Sequence, residues 1–319
     1  MSQNVDFAKA VGHKFEPVPQ TWTKRDVLLF ANSIGVKHDE LHLLYELHPD
    51  FAPFPTYPVL LPFRHADDKG EVTDFIARNK SGKSAPGAPK LDPARIVDGE
   101  RYIEVLKPLP ASSEGHDFVC ETKLLGLYDK GKAGLVTEVE TLLIDRKTGE
   151  AYTKIVASSF AIGQGGYSDQ PKQVQKTRVN KPPKEKANSP DKTDETKTTL
   201  EQALLYRLNA DYNPLHADPK VGKTMGFPGV ILHGLCSWNI AAVHVLRAYG
   251  QSQPGALVSF EARFAAPVLP GQTLRTEMWL AKDSNGIKEV VFHVKCKDTG
   301  KVVLSNGRAQ IKSSPKSKI

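Results

Sequence analysis

The chain has 319 residues, a formal net charge of +7, and 39% hydrophobic against 25% charged residues. That balance excludes a wholly disordered chain and leaves length for two ordinary domains. No run approaches the ~20 apolar residues that cross a bilayer, and residues 1–15 carry no basic cluster followed by an apolar core, so neither a membrane span nor a secretory signal is expected. The three cysteines, Cys120, Cys236 and Cys296, show no CxxC spacing, which points to a reducing compartment and away from a zinc site.

The basic surplus is concentrated in two stretches. Residues 172–197 hold eight Lys/Arg against four Asp/Glu, and the last eight residues add Lys312, Lys316 and Lys318, leaving the rest formally neutral. Tracking a phosphate backbone needs basic side chains grouped on a folded face, so nucleic-acid binding is not expected. With only Val174, Val179 and Ala187 as aliphatic residues among three prolines, the first stretch cannot bury a core and reads as a linker. The chain therefore divides into a first domain (1–167), a basic Pro/Lys-rich linker (168–197), a second domain (198–312) and a tail (313–319).

In chain order, Thr23 with Asp26 marks a helix start, and Val27, Phe30, Ala31 and Ile34 then share one face before Gly35. Pro53, Pro55, Pro58 and Pro62 break up the region that follows, and residues 81–89 form a Gly/Pro/Ser loop. Residues 134–145 and 150–162 are rich in β-branched side chains and flank the turn Arg146-Lys147-Thr148-Gly149, which predicts an antiparallel hairpin. Residues 233–249 contain no proline and group Leu235, Trp238, Ala242, Val245, Leu246 and Tyr249 near one face, predicting a long helix ending at Gly250. Three strand candidates follow, separated by Asp-Ser-Asn-Gly and Asp-Thr-Gly turns. Residues 102–112 and 261–272 both run from an extended segment into a Pro-aliphatic-Pro corner ahead of a strand meander, an internal repeat that makes two copies of one α+β domain the expected architecture.

Candidate chemistry concentrates between Tyr206 and His216. Asn213 precedes Pro214 and is biased to an extended backbone, so Asp211 and His216 straddle a constrained turn. One reading brings carboxylate and imidazole to one water, where they can remove one proton and supply another, as adding water across a polarised double bond requires. The other is an Asx-type turn in which Asp211 only caps backbone amides. Gly234 opens the long helix, where N–H groups lack intrahelical acceptors and the dipole is favourable to negative charge. Its amide can serve a developing oxyanion, or its lack of a side chain can serve packing alone.

The strings YRLNADYNPLHADP, GFPGVILHGLCSW and FEARFAAPVLPGQTLRTEMW resemble the signature of the R-specific enoyl-CoA hydratases known as hydratase 2, the MaoC-like branch of the hot-dog fold. DGERYIEVLKPLP, LYDKGKAG and FAIGQGGYSD resemble the other half of that family. The resemblance implies a tandem double hot-dog, two antiparallel sheets each wrapped around a central helix, with one active site per chain. It implies reversible hydration of trans-2-enoyl-CoA to (3R)-3-hydroxyacyl-CoA in fatty-acid β-oxidation. Asp211 and His216 match the family's catalytic pair, Asn213 lies in the same motif, and Gly234 matches the glycine whose amide holds the thioester oxygen. Gly99, Asp98, Lys130 and Phe264 fall at positions resembling CoA-thioester and acyl contacts, Asp98 where members carry different polar residues.

No equivalent of the Asp-Tyr-Asn-Pro-Leu-His string occurs before residue 198, so the first domain is expected to accommodate the acyl chain without chemistry. No metal or redox cofactor is expected, since the thioester itself activates the alkene; the acyl-CoA is the partner, and an open sheet edge suggests a homodimer. Alternatives are a hot-dog acyl-CoA thioesterase and a non-catalytic acyl-CoA-binding subunit. The final Ser317-Lys318-Ile319 resembles the Ser-Lys-Leu peroxisomal address with Ile in the last place, giving peroxisome as the expected compartment and cytoplasm as the alternative.

Overall fold

A computed structural model describes residues 5–64, 71–81, 84–175 and 179–313; the tripeptide 317–319 lies outside the described residues. The described residues contain ten strands: β1 (Val18–Pro19), β2 (Ile96–Val105), β3 (Phe118–Asp129), β4 (Gly134–Asp145), β5 (Glu150–Ile162), β6 (Lys192–Lys197), β7 (Leu257–Phe264), β8 (Thr273–Ser284), β9 (Ile287–Cys296) and β10 (Val302–Lys312). They form one sheet in the order β1-β3-β4-β5-β2-β7-β10-β9-β8-β6. The predicted hairpin is β4–β5, and the three strand candidates of the second half are β8, β9 and β10.

The repeat is visible in this order. β2, β3, β4 and β5 occupy the places that β7, β8, β9 and β10 occupy in the other half, and the two halves meet where β2 pairs antiparallel with β7, from Glu100 opposite Arg263 to Glu104 opposite Ser259. Two separate sheets were expected; the structure has a single continuous one, because each half ends on an inner strand with an unpaired edge that the other completes.

The central helix, Gly234–Gly250, buries fourteen of its seventeen residues, so it is enclosed around nearly its whole circumference. Trp238 meets the edge of Phe260 at 4.6 Å between centroids, and Phe260 stacks on Phe292 of β9 at 4.8 Å. Gly250 is the last helical residue and the left-handed cap falls on Gln251 (φ 54°). Gly250 is instead a packing residue: a Cβ there would come within 2.7 Å of Leu246.

The expectation of a central helix in each half is corrected here. Among the described residues the first half has no helix longer than ten residues: Lys24–Ser33, opened by the Thr23/Asp26 capping box, and Val72–Ser81 are its longest, beside shorter turns and the 3-10 segment Tyr57–Phe63. The prolines at 53, 55, 58 and 62 remove N–H donors and prevent a longer helix. Phe30, Phe54, Tyr57, Leu60 and Leu61 of this region share one core with Trp238 and Leu246 of the long helix. A smaller cluster around Phe7, Leu124, Leu127 and Leu135 closes the far end of the first half.

The linker boundary is also corrected, because its last six residues are strand β6, paired with β8 from Lys192 opposite Met278 to Lys197 opposite Thr273. Composition hid this strand because polar contacts anchor it. Thr196 Oγ1 and Thr276 Oγ1 each lie 2.8 Å from a ring nitrogen of the fully buried His244, whose pKa burial pushes down to about 4, so the ring is neutral. Arg247 donates to Asp194 at 2.7 Å and reaches across to Glu40 of the first half at 2.8 and 3.1 Å. The outer edge of β6 reads Lys-Thr-Asp-Glu-Thr-Lys, and such charges oppose pairing with another chain, which works against a homodimer built on this edge.

Burial raises the carboxyls of Glu40 and Asp194, but Arg247 and the surrounding hydrogen bonds outweigh it and hold both below the ordinary range. Their contribution to stability is therefore present above the unfolded-state pKa of about 4 and lost on acidification. Thermal unfolding of Arg247→Met should show a loss of about 2–3 kcal/mol at neutral pH, less than the ~3–5 kcal/mol of a fully buried pair. The difference from the parent should shrink below pH ~4; a gap that stays constant with pH would remove this account.

Candidate functional site

The site forms where the end of β7 meets the start of β2, over the N-terminus of the long helix. Asp211 and His216 are carried on a short connection built from capped turns. Asp211 Oδ1 accepts the Asn213 N–H at 3.3 Å, and Asn213 Oδ1 accepts the Leu215 N–H at 3.1 Å, starting the 3-10 turn Pro214–His216. The capping reading is therefore observed: Asp211 and Asn213 each accept a backbone N–H, and the turn that Asn213 caps carries His216.

His216 is buried, and its Nδ1–H donates to the Ile231 carbonyl at 2.9 Å. Because a carbonyl only accepts, this bond leaves Nε2 of the neutral ring with a free lone pair. An Asp211 carboxylate oxygen, a His216 ring nitrogen and a ring nitrogen of His233 lie within 4.8 Å of one another. The His216 and His233 rings stack at 3.7 Å with 25° between planes, so their in-plane lone pairs run side by side and do not converge as ligands of one cation would.

Gly234 follows His233 as the first residue of the helix, where its N–H has no intrahelical acceptor. A Cβ at this position would stand 3.1 Å from the Phe264 ring and 3.8 Å from Asp98 Oδ2. Phe264 follows Arg263, the partner of Glu100, which brings it beside Gly99. Gly99 occupies a bulge between β2 and β5, where a Cβ would come within 2.7 Å of Ser158 Oγ, the acceptor for the Glu100 N–H. Asp98, Gly99, Gly234 and Phe264 are therefore gathered from both halves. Lys130 stands apart at the β3–β4 turn, on the same end of the sheet but about two strand spacings, or ~10 Å, from the Asp98 row, with its ammonium 6.0 Å from the Tyr128 ring.

Asp98 sits in an open recess: 40% of its side chain is accessible, yet the protein crowds it enough that desolvation raises its pKa, with Arg101 opposing and Asp211 reinforcing the rise. The Arg101 guanidinium is 3.3 Å from Asp98 and only 5% accessible. His233 is 1% exposed, and burial together with the neighbouring His216 holds its pKa well below the usual imidazole range.

Arg101 and His233 are the two site residues that sequence reasoning passed over. The available signals were a cation in phase with Ile103 and Val105 on the inward face of β2, and an imidazole at a helix N-cap. A recess of about 500 Å³ on the opposite face of the sheet, lined by Glu100, Glu104, Glu138 and Glu261, does not include Asp211 or His216.

The fold and this cluster together define a double hot-dog hydratase, a lyase by class. Residues 20–163 match the profile of the MFE-2 hydratase 2 N-terminal domain and residues 181–306 that of the MaoC like domain. The chain is similar to the "Probable dehydratase NIT22" of Ajellomyces capsulatus, with 46% identity over 94% of this chain and 81% of the relative. It is also similar to "Enoyl-CoA hydratase 2, peroxisomal" of Arabidopsis thaliana, with 34% identity over 92% of each. A solved MaoC-like dehydratase from Phytophthora capsici superposes with a TM-score of 0.85 at 32% identity, covering 98% of this chain and 100% of that one. The chain belongs to the enoyl-CoA hydratase 2 family.

The contact between Gly234 and Phe264 can be checked directly. Gly234→Ala should cost about 1–3 kcal/mol by overpacking, and adding Phe264→Leu should recover part of it. Strictly additive losses in thermal unfolding would show that the two positions do not touch.

Proposed function

We propose that this enzyme reversibly hydrates trans-2-enoyl-CoA to (3R)-3-hydroxyacyl-CoA in fatty-acid β-oxidation. The observation that carries the reading is the bare Nε2 of His216, created by the Ile231 hydrogen bond and set beside the Asp211 carboxylate at the free end of the long helix. Asp211 and His216 hold one water and take up one of its protons, which they later return to C2, as its oxygen bonds to C3 and the C2–C3 π pair shifts toward the thioester. The Gly234 N–H stabilises the resulting enolate oxygen, and C2 then takes up a proton, so that H and OH are added overall. Asn213 acts by holding the turn. No change of oxidation state requires a redox cofactor, and the parallel stacking of the two imidazoles favours proton handling over metal binding.

Asp98, Gly99 and Phe264 line the thioester and acyl end, while Lys130 offers charge to CoA phosphates. The first half, without a long helix, leaves room for the acyl chain. Peroxisomal residence is supported by the peroxisomal relative in Arabidopsis. Among the described residues no helix is long and apolar enough to cross a membrane.

With trans-2-enoyl-CoA as substrate, the enoyl chromophore should disappear and chiral analysis should return the 3R product. Asp211→Asn and His216→Ala should each lower kcat/KM about 10²–10⁴-fold, and the double variant should fall little further. A 3S product, or release of free thiol without loss of the chromophore, would overturn the proposal.

A further inference from the structure

We infer that His233 is a positioning residue for this hydration: it clamps the His216 ring by stacking, and the Asp211 backbone by a hydrogen bond, onto the start of the helix that carries Gly234. The inference rests on the hydration proposed above. Three contacts meet in this side chain. One face of its ring lies 3.7 Å from that of His216, and the Tyr206 ring lies 5.0 Å away by centroid. Its Nε2–H donates to the Asp211 carbonyl at 3.1 Å, while its own carbonyl accepts the Cys236 N–H at 3.0 Å and so opens the helix. Tyr206 is itself held, its hydroxyl accepting from Asn239 of the same helix at 3.1 Å. A displaced His233 would therefore move the imidazole, the carboxylate and the helix start relative to one another.

The tautomer follows from the same bonds. The Asp211 carbonyl can only accept, so Nε2 carries the proton, and Nδ1 is bare, buried and without a partner among the described residues. Burial, the neighbouring His216 and the positive charge of Arg207 all disfavour a second proton. The ring thus stays neutral, and a proton taken up by His216 remains on His216 beside a neutral π face, a favourable arrangement for an imidazolium. The other charged or titratable groups around the pair are Asp98 and Arg101 from β2, Tyr206 and Arg207 from the preceding segment, and Asp211 itself.

Two variants separate the contacts. His233→Phe keeps a stacking ring and removes the donor; His233→Asn keeps a donor and removes the ring. After hydration by the parent enzyme is measured, both should lower kcat about 10- to 100-fold while KM stays within about threefold, because geometry and not ground-state binding is lost. The acid limb of the kcat–pH profile should move in His233→Asn and stay near its parental position in His233→Phe. Unchanged kcat, a rise in KM alone, or pH profiles identical to the parent in both variants would overturn the inference. Should either variant fail to fold by circular dichroism, ¹⁵N shifts of the parent's histidines decide: His233 must remain a neutral Nε2–H ring across the pH range in which His216 titrates, and titration of His233 there would overturn it. Absence of hydration by the parent would instead remove the proposed function, and the ¹⁵N shifts would still test the clamp.

Discussion

Everything at the site depends on the pairing of β2 with β7. Glu100 opposite Arg263 and its neighbours bring the bulge at Asp98 and Gly99 of one half against Phe264 and the helix start of the other. Without this ladder each half is an open sheet with an unpaired inner edge. With it, the two repeats share one core, and a single pocket draws walls from both. Fusion in one chain makes the two copies free to differ, and they have: one keeps a seventeen-residue buried helix, while among the described residues the other has no helix longer than ten.

Chemistry in the pocket is organised by hydrogen bonds to backbone carbonyls. The Ile231 carbonyl accepts from one nitrogen of His216, fixing the proton there and leaving the other nitrogen bare; the Asp211 carbonyl does the same for His233 with the nitrogens exchanged. Carbonyls are fixed by the main chain and cannot switch between donor and acceptor, so they assign tautomers more firmly than side-chain hydroxyls would. The result is two stacked imidazoles, the His216 ring near the Asp211 carboxylate and the His233 ring enclosed. Asp98 and Arg101 add an ion pair at the rim, contributed by the first half.

Legibility in the sequence was uneven for physical reasons. The capping box at Thr23 and Asp26, the hairpin turn at Arg146–Gly149 and the uninterrupted apolar run of the long helix are local signals, and local signals survive in one dimension. Strand β6 did not, because Lys-Thr-Asp-Glu-Thr-Lys has the composition of a linker and becomes a strand only through His244, Arg247 and its pairing with β8. Arg101 was equally silent: its meaning depends on the face of β2 it occupies and on the carboxylate a bulge turns toward it.

By itself the sequence determined the chain's repeat, its principal strands and long helix, and the motif residues Asp211, Asn213, His216 and Gly234, since each is written in contiguous residues. Only the tertiary structure decided that ten strands make one sheet and that the halves share a core. It also decided which nitrogen of each histidine is free and that His233 lies against His216. Those facts depend on pairs of groups far apart along the chain, such as Glu100 with Arg263 or Arg247 with Glu40, whose contact is chosen by packing and hydrogen-bond satisfaction across the whole fold.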